Sequence, residues 1–371
     1  MFELKFKYTS DLVNDLIGIE KYKTQLEYLY LPTRIKQEMM YKAKLKMTHF
    51  STSIEGNVLS YDQVERAIIQ KGKKTKIDAE REVVNYWEAL SFLEKSKKEK
   101  RSIDIDFILE LHGMIERRGG RKKVIGYRQP IPPGVLFAVY DNKSRSPEYI
   151  PPETSDIETL IHELVDWYNH EHDLPVSIKA AIMSYQLVTI HPFEDGNGRT
   201  SRALATYILM MEGYDFKGFN SMEEYYANNL QGYYESLQMG LPVLYYDGRN
   251  NPPHLEIWIE YFIRMMRLNA ENIAAQAEAA TKGEQEKTEL GRLNKKDKKM
   301  LRYMLENDLE TIKTKDLAAI FDVTPRAIIK WCSDWVERNI LVANYKNVRI
   351  TSYSLSEKYA NLTLMDIGFT D

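Results

Sequence analysis

Between His191 and Arg202 the chain reads His-Pro-Phe-Glu-Asp-Gly-Asn-Gly-Arg-Thr-Ser-Arg. An imidazole, two carboxylates, two glycines and two guanidinium groups fall in one uninterrupted string. Such a set can hold a metal-bound polyphosphate beside a base. His191 titrates near neutrality and can accept a proton from an incoming hydroxyl. Asp195 offers a carboxylate to Mg²⁺, a hard cation usually held by one or two carboxylates plus substrate phosphates. Arg199 and Arg202, three residues apart, share a helical face and suit bidentate phosphate contacts. Two cations at a helix N-terminus oppose the helix dipole, an arrangement that makes sense if a highly charged anion bridges them. The string is not a Walker P-loop, because G-x-x-x-x-G-K-[ST] is absent.

The flanking elements must position these groups. Residues 178–190 are mostly apolar and lack Gly and Pro, which predicts a buried helix. Pro192 disfavours helical dihedrals at the residue before it, so His191 is expected just past that helix, on a turn. Asp195-Gly196-Asn197-Gly198 is turn chemistry, since Gly and Asn tolerate positive φ. Residues 203–210 predict a second apolar helix, opened by Arg199, whose free N–H groups attract anions. Upstream, residues 42–57 read as an amphipathic helix ended by Gly-Asn, with Gly56 as a left-handed C-cap. Glu55 then falls in the last turn, where an acid opposes the dipole at a cost of ~0.3–1 kcal/mol. A residue in an unfavourable local place hints at a partner elsewhere.

The string resembles the signature of the Fic (filamentation induced by cAMP) family, H-x-F-x-[DE]-G-N-G-R-x-x-R, and matches every specified position. The resemblance implies a helical core and transfer of AMP from ATP to a Ser, Thr or Tyr hydroxyl of a protein substrate. It makes His191 the base, Asp195 the Mg²⁺ ligand and Phe193 a core anchor for the loop. Asn197, with the Gly196 and Gly198 backbone, would cradle phosphates, and Arg199 and Arg202 would hold the β- and γ-phosphates. A relative that acts as a kinase carries Lys at the place of Gly198, so Gly198 favours AMP transfer over phosphoryl transfer. Ser51-x-x-x-Glu55-Gly56 resembles the family's inhibitory motif, [ST]-x-x-x-E-[GN]. That likeness pairs Glu55 with Arg202, in competition with the γ-phosphate. Residues 126–152, rich in Pro and Gly around the β-like run 135–140, predict a hairpin and resemble the flap that holds a target segment by strand pairing. Gln186, Thr52 and Asn228 or Asn229 are nucleotide-pocket candidates by the same likeness.

The whole chain, 371 residues with 43% hydrophobic and 28% charged residues, has an ordinary globular balance and the length of two or three domains. Helical patterns dominate it up to about residue 280, broken by the hairpin, which together with the resemblance implies a mainly α fold. Boundaries are expected at 1–100 for an N-terminal helical region, 101–285 for the catalytic core and 290–371 for a C-terminal domain. The charged run 94–101 reads as a solvated loop or helix face. Residues 274–289 lose bulky apolar side chains and read as a fraying helix followed by a linker. Residues 313–331 predict helix, tight turn and helix, the second opened by Thr324 as N-cap and Pro325 at its first position. Residues 341–350 then predict strand, turn and strand. This resembles a winged helix–turn–helix, on which Lys313, Lys315, Arg326, Lys330 and Arg349 could meet DNA phosphates. Protein contact, including a homodimer, is the alternative. A net charge of −3 gives no global pull toward nucleic acid or membrane. The first residues are too charged for a signal peptide, and no apolar run is long enough to span a bilayer. The single cysteine, Cys332, excludes an internal disulfide framework and suits a cytoplasmic setting, with a small buried hydrophobe as its expected role. His170-Glu171-His172-Asp173 lacks zinc-ligand spacing and reads as surface. Rival readings are transfer or removal of another nucleotide-derived group, and a transcription regulator or toxin–antitoxin-like module with the C-terminal domain as output.

Overall fold

A computed structural model describes residues 4–70, 78–117, 126–132, 134–140, 146–291, 293–360 and 362–364, the side chains of 284–289 excepted. The chain divides into two compact units, Met1–Ala279 and Ala280–Asp371. It is mainly helical, with small sheets.

The first unit begins with α1 (Ser10–Tyr28), α2 (Thr33–Ile54), α3 (Tyr61–Ile69), α4 (Asp78–Lys98) and α5 (Ile105–Ile115). Their starts follow capping chemistry. Thr9 Oγ1 accepts from Leu12 N, Ser60 and Gln63 form a capping box, and Asp104 accepts from Phe107 N. The charged run lies on the last turns of α4, a helix face on which Lys97 pairs with Asp215 at 2.6 Å. Strands β1 (Val139–Tyr140) and β2 (Pro147–Tyr149) form a short antiparallel pair. The pair is smaller than the apolar run 135–140 suggests, because Gly134 takes φ +83 and 135–138 stay irregular.

Helices α6 (Ile157–His170), α7 (Val176–Ile190), α8 (Asn197–Met211), α9 (Met222–Asn228), α10 (Leu230–Gln238) and α11 (Glu256–Gly291) follow. Apart from Lys179 and Val188, every residue of α7 from Ser177 to Ile190 is buried, so the helix is apolar all round and forms the centre of the core. It packs along α8, and Trp258 of α11 donates to the Ala181 carbonyl at 2.7 Å. Helix α11 runs on to Gly291 where a frayed end and linker were expected. Loss of bulky side chains removes burial, but Ala, Glu, Gln and Lys remain strong helix formers.

The second unit contains α12 (Lys295–Glu306), α13 (Thr314–Phe321) and α14 (Pro325–Glu337), with β3 (Thr311–Ile312), β4 (Leu341–Lys346) and β5 (Arg349–Leu355) in the order β3-β5-β4. Thr324 caps α14 through Ala327 N, with Pro325 at its first position. Asn347, at φ +57, turns β4 into β5. Cys332 is buried with Met300, Leu317, Ile328 and Trp335. Buried Asp297 accepts from Trp335 Nε1 at 2.8 Å and from Arg338 Nη2 at 2.5 Å.

Candidate active site

His191 ends α7 in the left-handed region, at φ 51 and ψ 55, immediately before Pro192. Its Nδ1 lies 3.0 Å from the Val188 carbonyl. A carbonyl only accepts, so Nδ1 carries the proton and Nε2 is left with its lone pair. Burial lowers the imidazole pKa to about 4, against the opposing effect of the Val188 bond, and the ring is neutral at neutral pH. Phe137 and Tyr149 of the hairpin region lie 6.2 and 6.3 Å from the His191 ring, centroid to centroid. Arg128 fixes the backbone beneath. Its Nε donates to His191 O at 2.9 Å, its N–H to Pro192 O at 2.8 Å, and its Nη2 to Pro152 O.

The loop after His191 is closed on itself. Phe193 is buried and stacked on His112 of α5, with centroids 3.6 Å apart and planes 6° from parallel. His112 Nε2 lies 3.0 Å from the Asp195 carbonyl. The Asn197 side chain accepts from Phe193 N at 3.0 Å and donates to Phe193 O at 2.8 Å. That carboxamide is occupied by the loop's own backbone. Gly196 turns the chain at φ +80, and a Cβ there would lie 2.8 Å from the Glu116 side chain. Asp195 is exposed and accepts from Gly196 N at 2.7 Å.

The two arginines on the first turns of α8 have separate partners. Arg199 is buried against Glu82 of α4, Glu116 at 2.9 Å and Asp195 at 3.3 Å. Arg202 is buried and donates from Nη2 to Glu55 Oε1 at 2.8 Å and to Ser51 O at 2.9 Å, and from Nε to Ser51 Oγ at 3.0 Å. Nη1 reaches Tyr233 Oη at 3.4 Å. Burial works against the Arg202 charge, but Tyr233 and Glu55 more than offset it and raise the pKa above the ordinary arginine value. Glu55 closes α2, and Gly56 follows at φ +94, left-handed as its sequence suggests. A Cβ at Gly198 would collide with the Glu55 carboxylate. Glu55, Glu82, Glu116, Asp195 and Arg199 line an open cleft of about 690 Å³.

The side chains of the remaining candidates make none of these contacts. Gln186 is buried and donates to Asn250 O at 3.1 Å. Thr52 is buried and bonds back to Thr48 O at 2.9 Å. Asn228 ends α9 and Asn229 caps α10, both exposed. Of the His170–Asp173 run, His170 and His172 are exposed, and no His, Cys, Asp or Glu group with metal-binding geometry occurs among the described residues. Sequence reasoning passed over Glu82, Glu116, His112 and Arg128, each of which touches the signature string from far along the chain. His112, a lone imidazole on the apolar helix α5, was the faint signal.

Residues 102–209 match the Fic/DOC family. The chain is 31% identical over 271 residues to the protein adenylyltransferase fic-1 of Caenorhabditis elegans, covering 70% of this chain and 48% of that protein. It is 34% identical over 180 residues to the protein adenylyltransferase Fic of Drosophila melanogaster, covering 47% of this chain and 34% of that one. The chain thus spans half or less of the length of these curated relatives. Among solved structures, a Fic family protein from Desulfovibrio desulfuricans shares the fold over 96% of this chain and 99% of its own, with a TM-score of 0.57 at 18% identity. A Fic-1 fragment of C. elegans gives a TM-score of 0.51 at 26% identity over 71% of each chain.

Proposed function

We propose that this chain, whose residues 102–209 match the Fic/DOC family, is a protein adenylyltransferase, moving AMP from ATP to a protein hydroxyl, and that Glu55 holds it off. The observation that carries this is the pairing of a neutral His191, with Nε2 available, and a helix N-terminus whose buried Arg202 is gripped by Glu55. In the reaction the hydroxyl oxygen attacks the α-phosphorus while His191 Nε2 takes the hydroxyl proton. The bond between the α-phosphorus and the bridging oxygen breaks, and pyrophosphate leaves. The N-terminus of α8 and Arg202 favour the departing charge. Arg199, Gly196, Gly198 and the Asn197 backbone belong to the same phosphate-facing end of α8. Gln186, Thr52, Asn228 and Asn229 are assigned to the nucleotide pocket by family likeness. Asp195 supplies the carboxylate that suits Mg²⁺, which when bound would neutralise phosphate charge. The β1–β2 pair beside His191 is the surface proposed to seat a segment of the protein substrate.

The test uses ATP labelled at either the α- or the γ-phosphate with the Glu55→Gly variant and a cell lysate. Label from the α-position on protein, lost in a Glu55→Gly, His191→Ala double variant, is expected. Transfer of γ-label would assign phosphoryl transfer, and retained α-labelling without His191 would remove it as the base. Competition among labelled nucleotides separates AMP from other groups.

For the second unit we propose a winged helix–turn–helix that contacts DNA. The exposed Arg326 and Lys330 on α14, with Lys313, Lys315 and Arg349 also exposed, support this reading. Selection of duplexes by the full chain tests it, and a homodimer contact is the outcome if no duplex enriches. A cytoplasmic setting accords with the lone buried thiol of Cys332. Among the described residues no helix is long and apolar enough to cross a membrane.

A further inference from the structure

Resting on the adenylyltransferase reading, we infer that Glu82 is a positioning residue that ties Arg199 to the same turn that carries Glu55. Glu82 lies on α4 with its two carboxylate oxygens committed in different directions. Oε1 accepts from Arg199 Nη1. Oε2 accepts from Asn57 Nδ2 at 2.7 Å. Asn57 stands two residues past Glu55. Its Nδ2 also donates to Ala79 O at 3.0 Å, and its Oδ1 accepts from Leu59 N at 3.1 Å. The turn itself is closed by Gly56 N to Ser53 O at 2.9 Å and Asn57 N to Thr52 O at 3.1 Å. One turn therefore reaches both arginines of α8. Glu55 meets Arg202 directly, and Asn57 reaches Arg199 through Glu82.

The arrangement has the properties of a coupled network. Arg199 is 7% exposed and Glu82 23% exposed at their side chains, so screening by solvent is limited. Burial raises the Glu82 carboxyl above its ordinary range, against the opposing pull of Arg199 and the Asn57 hydrogen bond. Glu116 faces Arg199 from the other side and limits how far the guanidinium can swing. Groups that share one bridging carboxylate are expected to be non-additive on mutation.

Three readouts test the inference. In the Glu55→Gly background, adding Glu82→Gln should raise KM for ATP about tenfold while kcat changes less than about threefold, and Glu82→Asp should recover part of the loss. A residue needed only for folding would lower soluble yield without that split. In the otherwise intact chain, Asn57→Ala should raise AMP transfer about fivefold by loosening the turn; once Glu55 is Gly that gain is already made, and Asn57→Ala should instead raise KM for ATP, by less than Glu82→Gln does. Without any nucleotide, Glu82→Gln should speed hydrogen exchange at the Gly56 and Asn57 amides about fivefold. An unchanged KM, equal effects of Asn57→Ala in both backgrounds, or unchanged amide exchange would each overturn the coupling. The exchange readout needs no activity, so failure of the adenylyltransferase reading and failure of the coupling are separable.

Discussion

Replacing Glu55 with Gly should tighten ATP binding by about tenfold or more. The ion pair to be lost joins Arg202, 2% exposed, to Glu55, 29% exposed, at 2.8 Å. A hydrogen bond between charged groups contributes about 1.5–3 kcal/mol net, and each 1.4 kcal/mol or so is tenfold in affinity. The partial exposure of Glu55 argues for the lower half of that range, because solvent weakens the pair. Arg202 keeps Ser51 O and Ser51 Oγ as acceptors after Glu55 is gone, so the guanidinium is not stranded. The backbone at Glu55, φ −87 and ψ 8, is one Gly accepts, at an entropic cost of about 0.5–1 kcal/mol to the fold. Calorimetric titration with a non-hydrolysable ATP analogue reads the affinity directly. Glu55→Gln, which keeps the backbone and an acceptor oxygen but not the charge, should fall between the two. Dissociation constants within twofold for all three proteins would refute the competition between Glu55 and phosphate.

Transfer should show no loss attributable to His191 from neutral pH down to about pH 5. Below about pH 4 it should fall tenfold per unit, since the imidazole stays neutral until about 4; a rate that halves near pH 6.5 would refute this. The same depressed pKa lowers stability as pH drops from the unfolded value of about 6.5 toward 4, because only the unfolded chain takes up that proton; denaturant melts of the parent and His191→Ala across this window measure it. Gly198→Ala should raise transfer in the intact chain, where the methyl displaces Glu55, and lower it in the Glu55→Gly background, where the methyl only crowds phosphate; a like sign in both assays would count against it. Asp297→Ala should destabilise the second unit by about 1–3 kcal/mol, since it leaves the buried Trp335 Nε1 without its acceptor, while Arg338 keeps Asp334; chemical denaturation of the full chain, followed by Trp fluorescence, checks this.

Much of the site was legible because its residues are adjacent in sequence. His191, Asp195, Gly196, Gly198, Arg199 and Arg202 announce a turn between two apolar helices, and that is how the chain folds. Glu55 was legible from local misfit and family likeness, and its 2.8 Å contact with Arg202 supplies the partner that the misfit called for. The partners of Arg199 were not legible. Glu82 stands 117 residues away, and nothing about a Glu on a polar helix face distinguishes it from a solvated one. His112 illustrates the same limit, since its stack on Phe193 and its contact with Asp195 O arise only when α5 meets the loop. The reach of α11 was misjudged because burial and helix propensity were read as one signal, and here they part company.

The grip of Ser51 on Arg202 carries a consequence for how activation would be observed. Ser51 holds the guanidinium with both a hydroxyl and a carbonyl, one helical turn before Glu55. If Glu55 swings away as proposed, Ser51 would keep the arginine where it is, and nucleotide would meet a group already oriented for it, with little reorganisation left to do. Turning the site on then amounts to the rotation of a single carboxylate at a helix end. Gel filtration and solution scattering would pass over such an event. Its signal would reside in local reporters, such as the nitrogen resonances of the Arg202 guanidinium.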